Sequence, residues 1–256
     1  MQKLSIVIIC KNSSGVIKKT LQSFAGLTDD IVVYDNGSTD GTPEIVKQVG
    51  ANLYHGSWEG FGKTKNAANS LAKYNWILSL DADEAIDETL KNSLLLLPCT
   101  DEKVVYCLSF KTFLGDKHLK HGEWAGDHHI RLFNRNDVKW NDAAVHEQLI
   151  IPAGITVKKL NGHVLHRTAE SMQEYKIKME NYAALNAEKY FAQGKKLWWG
   201  KQWLSPGFSF LQYYIFRLGF LDGRAGYDRA CITVRYTFLK YKKLNQLRNN
   251  EQMNKE

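Results

Sequence analysis

The strongest chemical signal in this sequence is a pair of carboxylates one residue apart. Asp81 and Asp83 flank Ala82 directly after the apolar run 76–80 (WILSL). Acidic residues are also common in solvated turns, so the position of the pair decides its interpretation. In open α/β sheets, ligands bind beyond the carboxyl ends of the strands. Two carboxylates placed there can bind a hard divalent cation together with phosphate oxygens of a ligand.

A second polar segment, residues 35–42 (DNGSTDGT), follows the apolar run 31–34 (IVVY). A turn and a capped helix would account for Gly37 and Thr42. They do not account for Asp35, whose position at the end of a predicted strand would let its carboxylate accept hydrogen bonds from a nucleotide. Asp35 is therefore a candidate binding residue.

The elements that must position these carboxylates alternate along the first 80 residues. Apolar runs predict strands at 4–10, 31–34, 51–54 and 76–80. Helices are predicted after a cap at Ser13 or Ser14, from Thr42 and Pro43, and over 63–74. This alternation predicts a doubly wound α/β sheet. Later strands at 104–113, 130–133 and 162–166 predict that the sheet is mixed, and 170–193 reads as a further helix.

Charge is distributed unevenly along the 256 residues, whose formal net charge is +7. Residues 1–194 contain 22 Lys and Arg against 23 Asp and Glu, whereas residues 195–256 contain 12 against 4, a net of +8. The last segment also places thirteen aromatic residues between positions 198 and 241. Trp, Tyr, Lys and Arg suit the headgroup zone of a membrane, so we expect amphipathic helices resting on an anionic membrane surface. Simple packing against the rest of the chain or a second subunit is the alternative.

The remaining composition excludes several classes. The four cysteines show neither CxxC pairs nor zinc-ligand spacing. The apolar run 4–10 is too short for a signal peptide, and no stretch reaches about 18 uninterrupted apolar residues. We therefore expect a cytoplasmic protein without a transmembrane helix.

The motifs together resemble the family 2 glycosyltransferases, which have the GT-A fold. The order and spacing of residues 5–12, 35–42, 65–67 and 81–84 match that family. A longer set resembles the bacterial subgroup that adds β-linked glucose or a similar sugar to the inner core of lipopolysaccharide. That set comprises residues 122–127, 130–133, 145–147, 163–168 and 219–223.

The resemblance implies an α/β GT-A fold, a Rossmann-like mixed sheet flanked by helices with a C-terminal helical extension. It also implies inverting transfer of a sugar, glucose by preference, from a UDP-sugar with Mg²⁺ or Mn²⁺. The acceptor would be lipid-linked or an oligosaccharide, such as the lipopolysaccharide core. Nucleotide-sugar binding is assigned to the half 1–103 of a domain 1–194, and acceptor binding to the half 104–194. Residues 195–256 would form the basic aromatic helical extension, peripheral on the inner face of the cytoplasmic membrane.

Site roles follow from the same resemblance, position by position. The implied donor-binding residues are Lys11, Asn12 and Asp35 at the base and ribose, Lys63 and Lys65 at the diphosphate or base, and Asp81 at the ribose or metal. Asp83 would bind the metal directly, and His166 would be a metal or diphosphate ligand. The alternative for the two lysines is a solvated helix face.

An inverting transfer needs a base on the face of the sugar opposite the leaving group. Many relatives use an Asp in a Glu-Asp pair, whereas this chain has His146 and Glu147. We expect Glu147 to be the base and Asp127 to be the alternative. Glu147 could instead be purely structural, in an ion pair with Arg131 or Arg135.

A zinc site of His128, His129 and His146 is disfavoured, because their spacing matches no usual ligand pattern.

Two other function classes are less consistent with the sequence. A nucleotidyltransferase can share a similar sheet and metal, but it would show a glycine-rich loop with a basic residue after the first strand. Residues 11–15 (KNSSG) lack that richness. A basic nucleic-acid-binding module could stack bases on the aromatic residues of the tail. The nearly neutral charge of residues 1–194 argues against it, so no nucleic-acid partner is expected.

Overall fold

The computed structural model describes residues 3–122, 126–143, 147–195, 198 and 200–253. Its strands are β1 (Leu4–Cys10), β2 (Ile31–Asp35), β3 (Asn52–His55), β4 (Trp76–Asp81), β5 (Glu84–Ile86), β6 (Val104–Leu114), β7 (Lys117–His118), β8 (His128–Asn134), β9 (Lys139–Trp140), β10 (Leu149–Ile150) and β11 (Thr156–Ala169). Its helices are α1 (Ile17–Ser23), α2 (Thr42–Val49), α3 (Phe61–Ser70), α4 (Glu88–Leu95), α5 (Met172–Ala192), α6 (Lys201–Phe210) and α7 (Arg224–Met253). A π-helical segment, Leu211–Phe216, and a 3₁₀ turn, Gly219–Asp222, lie between α6 and α7.

The chain forms two compact units. The first comprises residues 1–111 and 126–166, and the second comprises residues 112–125 and 167–256.

A mixed sheet forms the centre of the first unit, with the strand order β3-β2-β1-β4-β8-β6-β11-β5. The strands from β3 to β4 are parallel neighbours, joined in sequence by α1, α2 and α3. β8 then pairs antiparallel to β4, and β6 pairs antiparallel to β8. The α/β fold with a mixed sheet, flanking helices and a C-terminal helical extension is therefore confirmed.

β1 is buried along its whole length, as its uninterrupted apolar sequence predicts. Because successive side chains point to opposite faces of a sheet, its residues supply two cores. Ile6 and Ile8 contribute to the cluster on one side, and Val7 and Ile9 contribute to the cluster on the other. Packing on both faces keeps this strand, and the ends of its neighbours, in a defined position.

The register of the parallel strands brings the predicted carboxylates to one edge. Ile9 lies opposite Asp81 on β4, and Cys10 lies opposite Asp35 on β2. The strand order reverses direction at β1, and such switch points open a crevice beyond the carboxyl ends of the strands. The sheet therefore places Asp35 and Asp81 on two sides of that crevice.

Local details differ from the sequence-based expectations. The predicted cap of α1 at Ser13 or Ser14 is wrong, because the helix begins at Ile17 without a side-chain cap. The backbone N–H groups of both serines are engaged by Thr42 and Asp40 instead. α3 starts and ends earlier than the predicted helix 63–74. β11 is much longer than the predicted strand 162–166, and it lies between β6 and β5 in the sheet.

The second unit is mainly helical. α5 and α7 pack along each other, and α6 packs against α7. Asp222, which lies just before α7, accepts hydrogen bonds from the backbone N–H groups of residues 120 and 121. Within the described residues, no helix is both long enough and apolar enough to cross a membrane.

Candidate active site

A buried lysine joins two carboxylates at the crevice. Lys65 Nζ lies 3.1 Å from Asp81 Oδ1 and 2.8 Å from Glu147 Oε1. The Lys65 side chain is only 2% exposed, whereas that of Asp81 is 34% exposed. A buried ammonium group is stable only when carboxylates compensate its charge. Asp81 is therefore a partly exposed carboxylate that contacts a buried cation.

Three elements supply this group. Asp81 ends β4, Lys65 lies in the middle of α3, and Glu147 precedes β10. Lys65 Nζ also lies 4.7 Å from the centre of the Trp140 ring, which covers the ammonium group. The solvated-face interpretation is therefore wrong for Lys65. Lys63, two residues earlier on α3, does face solvent.

Behind Asp81 lies a second buried ion pair. Arg131 Nη2 is 2.9 Å from Glu84 Oε1 and 3.5 Å from Asp81 Oδ2. Glu84 Oε2 also accepts the backbone N–H of Asp81 at 2.9 Å. Glu84 and Arg131 thus hold both the backbone and the carboxylate at the end of β4.

These neighbours set the charge of the carboxylates. Burial works to raise the pKa of Asp81, but Lys65 and Arg131 outweigh it and hold that pKa well below its usual range. Burial raises the pKa of Glu84, and Arg131 opposes that effect without reversing it. Asp81 therefore stays negatively charged at neutral pH, as a ligand-binding carboxylate must.

Asp83 and His166 approach each other beside this network. His166 lies opposite Glu84 where β11 pairs with β5, and its Nε2 is 3.4 Å from Asp83 Oδ2. A carboxylate and an imidazole are a donor pair that suits Mn²⁺ and tolerates Mg²⁺. Asp81 Oδ1 is buried and accepts no hydrogen bond, although Lys65 Nζ lies nearby. The donor chemistry of these three residues therefore fits a divalent cation.

The three residues do not form a ready-made cage. In the part of the chain that the structure describes, no group of three or more His, Cys, Asp and Glu side chains has metal-binding geometry. The Asp81 carboxylate is turned toward Lys65 and Arg131. A cation at Asp83 and His166 would need further oxygen ligands from a bound molecule. His146, the third member of the disfavoured zinc site, lies outside the described residues.

Asp35 lies at the end of β2, where polar groups surround its carboxylate. Its carboxylate accepts the backbone N–H and the hydroxyl of Ser38, and His55 Nδ1 lies 3.3 Å away. Burial works to raise the pKa of Asp35, but the hydrogen bonds from Ser38 and His55 outweigh it and lower that pKa. The Cys10 thiol beside it has a pKa raised to about 12, chiefly by burial and by the Asp35 charge. Asp35 is thus a fixed, ionised acceptor.

Asn12 closes the same loop from the end of β1. Its side-chain oxygen accepts the backbone N–H of Thr39 at 2.8 Å, and its own backbone N–H donates to Ser38 Oγ at 2.8 Å. Asn12 has a positive φ of 51°, a conformation that asparagine tolerates better than most residues. Lys11, the preceding residue, is exposed to solvent.

The two candidate bases have different surroundings. Asp127 Oδ1 lies 2.9 Å from His129 Nε2, and this hydrogen bond lowers the pKa of Asp127 despite partial burial. Glu147 pairs with Lys65, and neither of the expected arginine partners takes that place among the described residues. Arg131 binds Glu84 and Asp81, and Arg135 binds Asn75 and the Asn69 carbonyl.

Sequence reasoning missed the structural roles of Glu84 and Arg131. Both could have been found by one signal, a charged residue within an otherwise apolar strand. Arg131 interrupts the run of Ile130, Leu132 and Phe133, and such a charge is buried only when it is paired. The partner of Arg131 could not be read from the sequence, because Glu84 lies 47 positions earlier in the chain.

Residues 5–151 match the model of glycosyl transferase family 2. The lipopolysaccharide core biosynthesis glycosyltransferase LpsC of Rhizobium meliloti is 29% identical over 251 residues, which cover 95% of this chain and 92% of that protein. An uncharacterized glycosyltransferase of Rickettsia typhi is 26% identical over 269 residues, which cover 96% of this chain and 88% of that protein.

Among solved structures, TarS of S. aureus in complex with UDP covers 94% of this chain and 90% of its own, at 16% identity and a TM-score of 0.43. Glucosyl-3-phosphoglycerate synthase from Mycobacterium tuberculosis, in complex with Mn²⁺ and UDP-glucose, covers 44% of each chain at 21% identity and a TM-score of 0.34. Because the family model spans more than half of the sequence, this chain belongs to glycosyl transferase family 2, and it is a glycosyltransferase with the GT-A fold.

Proposed function

We propose that this glycosyltransferase transfers a sugar, glucose by preference, from a UDP-sugar to the lipopolysaccharide core or a similar cell-envelope glycan, with inversion at the anomeric carbon. One observation carries the proposal. Asp81 and Glu147, the donor-side carboxylate and the candidate base, lie on two sides of the buried Lys65 ammonium group. The similarity to LpsC over most of both chains supports the choice of acceptor class.

Donor binding is assigned to the crevice at the carboxyl ends of β1, β2 and β4. The ionised Asp35 would accept hydrogen bonds from the base or ribose, with Asn12 and Lys11 beside it. Lys63, exposed on α3, would reach the diphosphate. Lys65 differs from Lys63, since its burial restricts it to holding Asp81 and Glu147.

Asp83 and His166 would hold Mg²⁺ or Mn²⁺, with Asp81 at the ribose or at the same cation. Such a cation, when bound, neutralises charge that builds up on a departing diphosphate. His166 Nε2 lies 3.4 Å from Asp83 Oδ2, and the phosphate oxygens of the donor would complete the ligand set.

Inversion requires one direct displacement. The acceptor hydroxyl oxygen attacks the anomeric carbon on the face opposite the diphosphate, a new C–O bond forms, and the bond to the UDP oxygen breaks. The hydroxyl proton passes to the Glu147 carboxylate, and UDP leaves with the electron pair of the broken bond. Lys65 keeps Glu147 oriented through its 2.8 Å hydrogen bond.

Asp127 is the second candidate for this proton. The hydrogen bond from His129 lowers the pKa of Asp127, which makes it the weaker proton acceptor at a given geometry. Glu147 also lies directly in the network that contains Asp81, so it is the preferred base.

The enzyme would act at the inner face of the cytoplasmic membrane, with residues 195–256 in contact with the lipid surface. The net charge of +8 in this segment and its thirteen aromatic residues between positions 198 and 241 support this location. A lipid-linked acceptor would be delivered at that surface.

The decisive experiment measures nucleotide release from a panel of UDP- and GDP-sugars, with Mn²⁺ or Mg²⁺ and with or without lipopolysaccharide core fragments. We expect UDP release from UDP-glucose, increased by a core acceptor, and a β-linked product by NMR. An α-linked product would disprove inversion, and GDP release from a GDP-sugar in preference to UDP would disprove the donor class. Pyrophosphate release with a nucleoside triphosphate would favour the nucleotidyltransferase alternative.

A further inference from the structure

Three lysines converge on one group of tyrosines in the second unit. Lys240, on α7, has its Nζ 5.4 Å from the ring centre of Tyr190, 5.1 Å from that of Tyr236 and 4.8 Å from that of Tyr241. Lys195 Nζ lies 3.8 Å from the Tyr190 ring.

The third lysine approaches from α6. Lys201 Nζ lies 5.5 Å from the Tyr241 ring. We call Lys195, Lys201 and Lys240 the lysine cluster. It joins the residues after α5, the first residue of α6 and the middle of α7.

No carboxylate of the described residues balances the charge of the lysine cluster. None of the three lysines forms an ion pair within the described residues, although several other lysines, arginines and histidines there do. Burial, followed by the Lys201 and Lys195 charges, lowers the pKa of Lys240. Tyrosine rings attract a cation only weakly compared with a carboxylate. An anion bound among these three ammonium groups would relieve their mutual repulsion.

An exposed apolar face continues from the same helix. Trp203, Leu204 and Phe208 on α6 are 67%, 62% and 63% exposed, and Leu211 and Phe216 in the π-helical segment are exposed as well. We call these five residues the α6 apolar face. Leu204, Phe208 and Leu211 follow the spacing of one helix face, while Pro206 on the other side is buried. Exposed apolar residues grouped in this way indicate an interaction surface.

Contacts between α6 and α7 link the cluster to this face. Trp203 packs against Phe238 with ring centres 5.4 Å apart, and Phe238 lies two residues before Lys240 on α7. Lys201 and Trp203 are likewise two residues apart on α6. Cationic groups and large apolar groups therefore adjoin each other at the first turn of α6.

We propose that the lysine cluster binds the phosphate of an anionic phospholipid headgroup while the α6 apolar face inserts among the acyl chains beneath it. The inference specifies the membrane contact proposed above for residues 195–256, and it rests on that part of the proposed function. It does not depend on the sugar-transfer step.

The chemistry favours a lipid over other occupants. Nucleic acid would supply phosphate but no apolar phase for Leu204 and Phe208. A second copy of this chain would bring the same +8 segment, so the two surfaces would repel each other. A bilayer with anionic headgroups supplies both the phosphate and the apolar phase, and basic residues with Trp and Phe are typical of helices that lie in the interface.

The test is co-sedimentation of the full chain with vesicles of phosphatidylcholine alone and with vesicles that also contain phosphatidylglycerol. We expect binding to the anionic vesicles only. The double variant Lys201→Ala and Lys240→Ala should weaken it about 30-fold, because each basic residue near an anionic surface contributes roughly fivefold. Phe208→Ser should weaken it as well, without any change in charge.

The matched control is Lys242→Ala with Lys243→Ala, two exposed lysines on α7 that line a groove with Glu180 and Gln246. This control removes the same amount of charge. An equal loss of vesicle binding would therefore show general electrostatic attraction to the membrane and would disprove specific binding at the lysine cluster. If inorganic phosphate abolished vesicle binding and Phe208→Ser bound vesicles as well as the wild type, the cluster would be a site for free phosphate and not for a lipid headgroup. Equal binding to neutral vesicles would also contradict the proposal.

Two readouts separate this inference from the catalytic proposal. UDP release from the donor without acceptor should be unchanged in Lys201→Ala with Lys240→Ala, and the thermal midpoint should confirm that the variant is folded. If the wild-type chain binds anionic vesicles but releases no UDP, the catalytic proposal fails while this inference stands. If it releases UDP and ignores anionic vesicles, this inference fails alone. A dimer that dissociates on Phe208→Ser would show that a second copy covers the α6 apolar face, and would overturn the proposal.

Discussion

Lys65 donates a 2.8 Å hydrogen bond to Glu147, a residue 82 positions later in the chain. The same ammonium group lies 3.1 Å from Asp81, so one buried cation holds a carboxylate at the end of β4 and a second carboxylate from the later part of the unit. Such an arrangement orients both carboxylates. It also makes the two carboxylates dependent on each other, which several substitutions can test.

Glu147→Gln should lower turnover by a factor on the order of 10² or more while donor binding is kept, because glutamine cannot accept the proton of the acceptor hydroxyl. Steady-state kinetics with a core acceptor would measure turnover, and calorimetry with UDP would measure binding. The matched variant is Asp127→Asn, which we expect to retain most of the activity. Normal turnover in Glu147→Gln with loss in Asp127→Asn would move the base to Asp127.

Asp83→Ala should abolish transfer and remove the effect of Mn²⁺ on UDP affinity, since it deletes the carboxylate that lies 3.4 Å from His166. Calorimetry of UDP binding with Mn²⁺ and with EDTA would measure that effect, and circular dichroism would verify the fold. Glu44→Ala, which removes an exposed carboxylate from α2, is the control and should behave like the wild type. Mn²⁺-dependent UDP binding that survives in Asp83→Ala would refute the assigned metal ligand.

Lys65→Met should move the acid limb of the pH–rate profile to higher pH. Lys65 is the largest of the influences that lower the pKa of Asp81, and its removal lets burial raise that pKa. Turnover should fall as well, because Glu147 loses its hydrogen-bond donor. Lys65→Arg keeps the charge and should keep the acid limb close to that of the wild type. An unshifted profile in an active, folded Lys65→Met would mean that Asp81 ionisation is not linked to turnover.

Arg131→Met should destabilise the chain by roughly 3–5 kcal/mol, because it leaves the buried Glu84 carboxylate without its partner. Adding Glu84→Gln should recover part of that loss, since the remaining amide carries no charge and still accepts the backbone N–H of Asp81. Urea unfolding of the wild type, both single variants and the double variant gives the coupling energy. Simple additivity would show that the two residues do not act as a pair.

Asp35 should contribute stability that depends on pH. Its pKa is lower in the folded chain than in the unfolded chain, so its contribution is present above the ordinary aspartate pKa of about 4 and is lost as the pH falls below it. Asp35→Asn should therefore have a lower thermal midpoint than the wild type at pH 7. The difference between the two midpoints should be smaller at pH 3. A gap that stays constant between these values would contradict the assigned pKa shift.

The sequence by itself determined the family and the site's main carboxylates. Apolar runs followed by Asp35 and by Asp81 and Asp83 are local patterns, and parallel strands bring such strand ends to one edge whatever the rest of the chain does. The motif spacing also identified the family correctly. The roles of individual residues, the donor sugar, the acceptor and the domain boundary at residue 194 stay predictions.

Only the tertiary structure decided which charged groups meet. Nothing in the local sequence distinguishes the buried Lys65 from the exposed Lys63, and both lie on the same short helix. The partners of Glu147 and Glu84 lie 82 and 47 positions away, and the lysine cluster joins α6, α7 and the residues after α5. The physical reason is that burial and Coulomb energy depend on distances in space, which the packing of α3, β8 and α7 sets and which spacing along the chain does not encode.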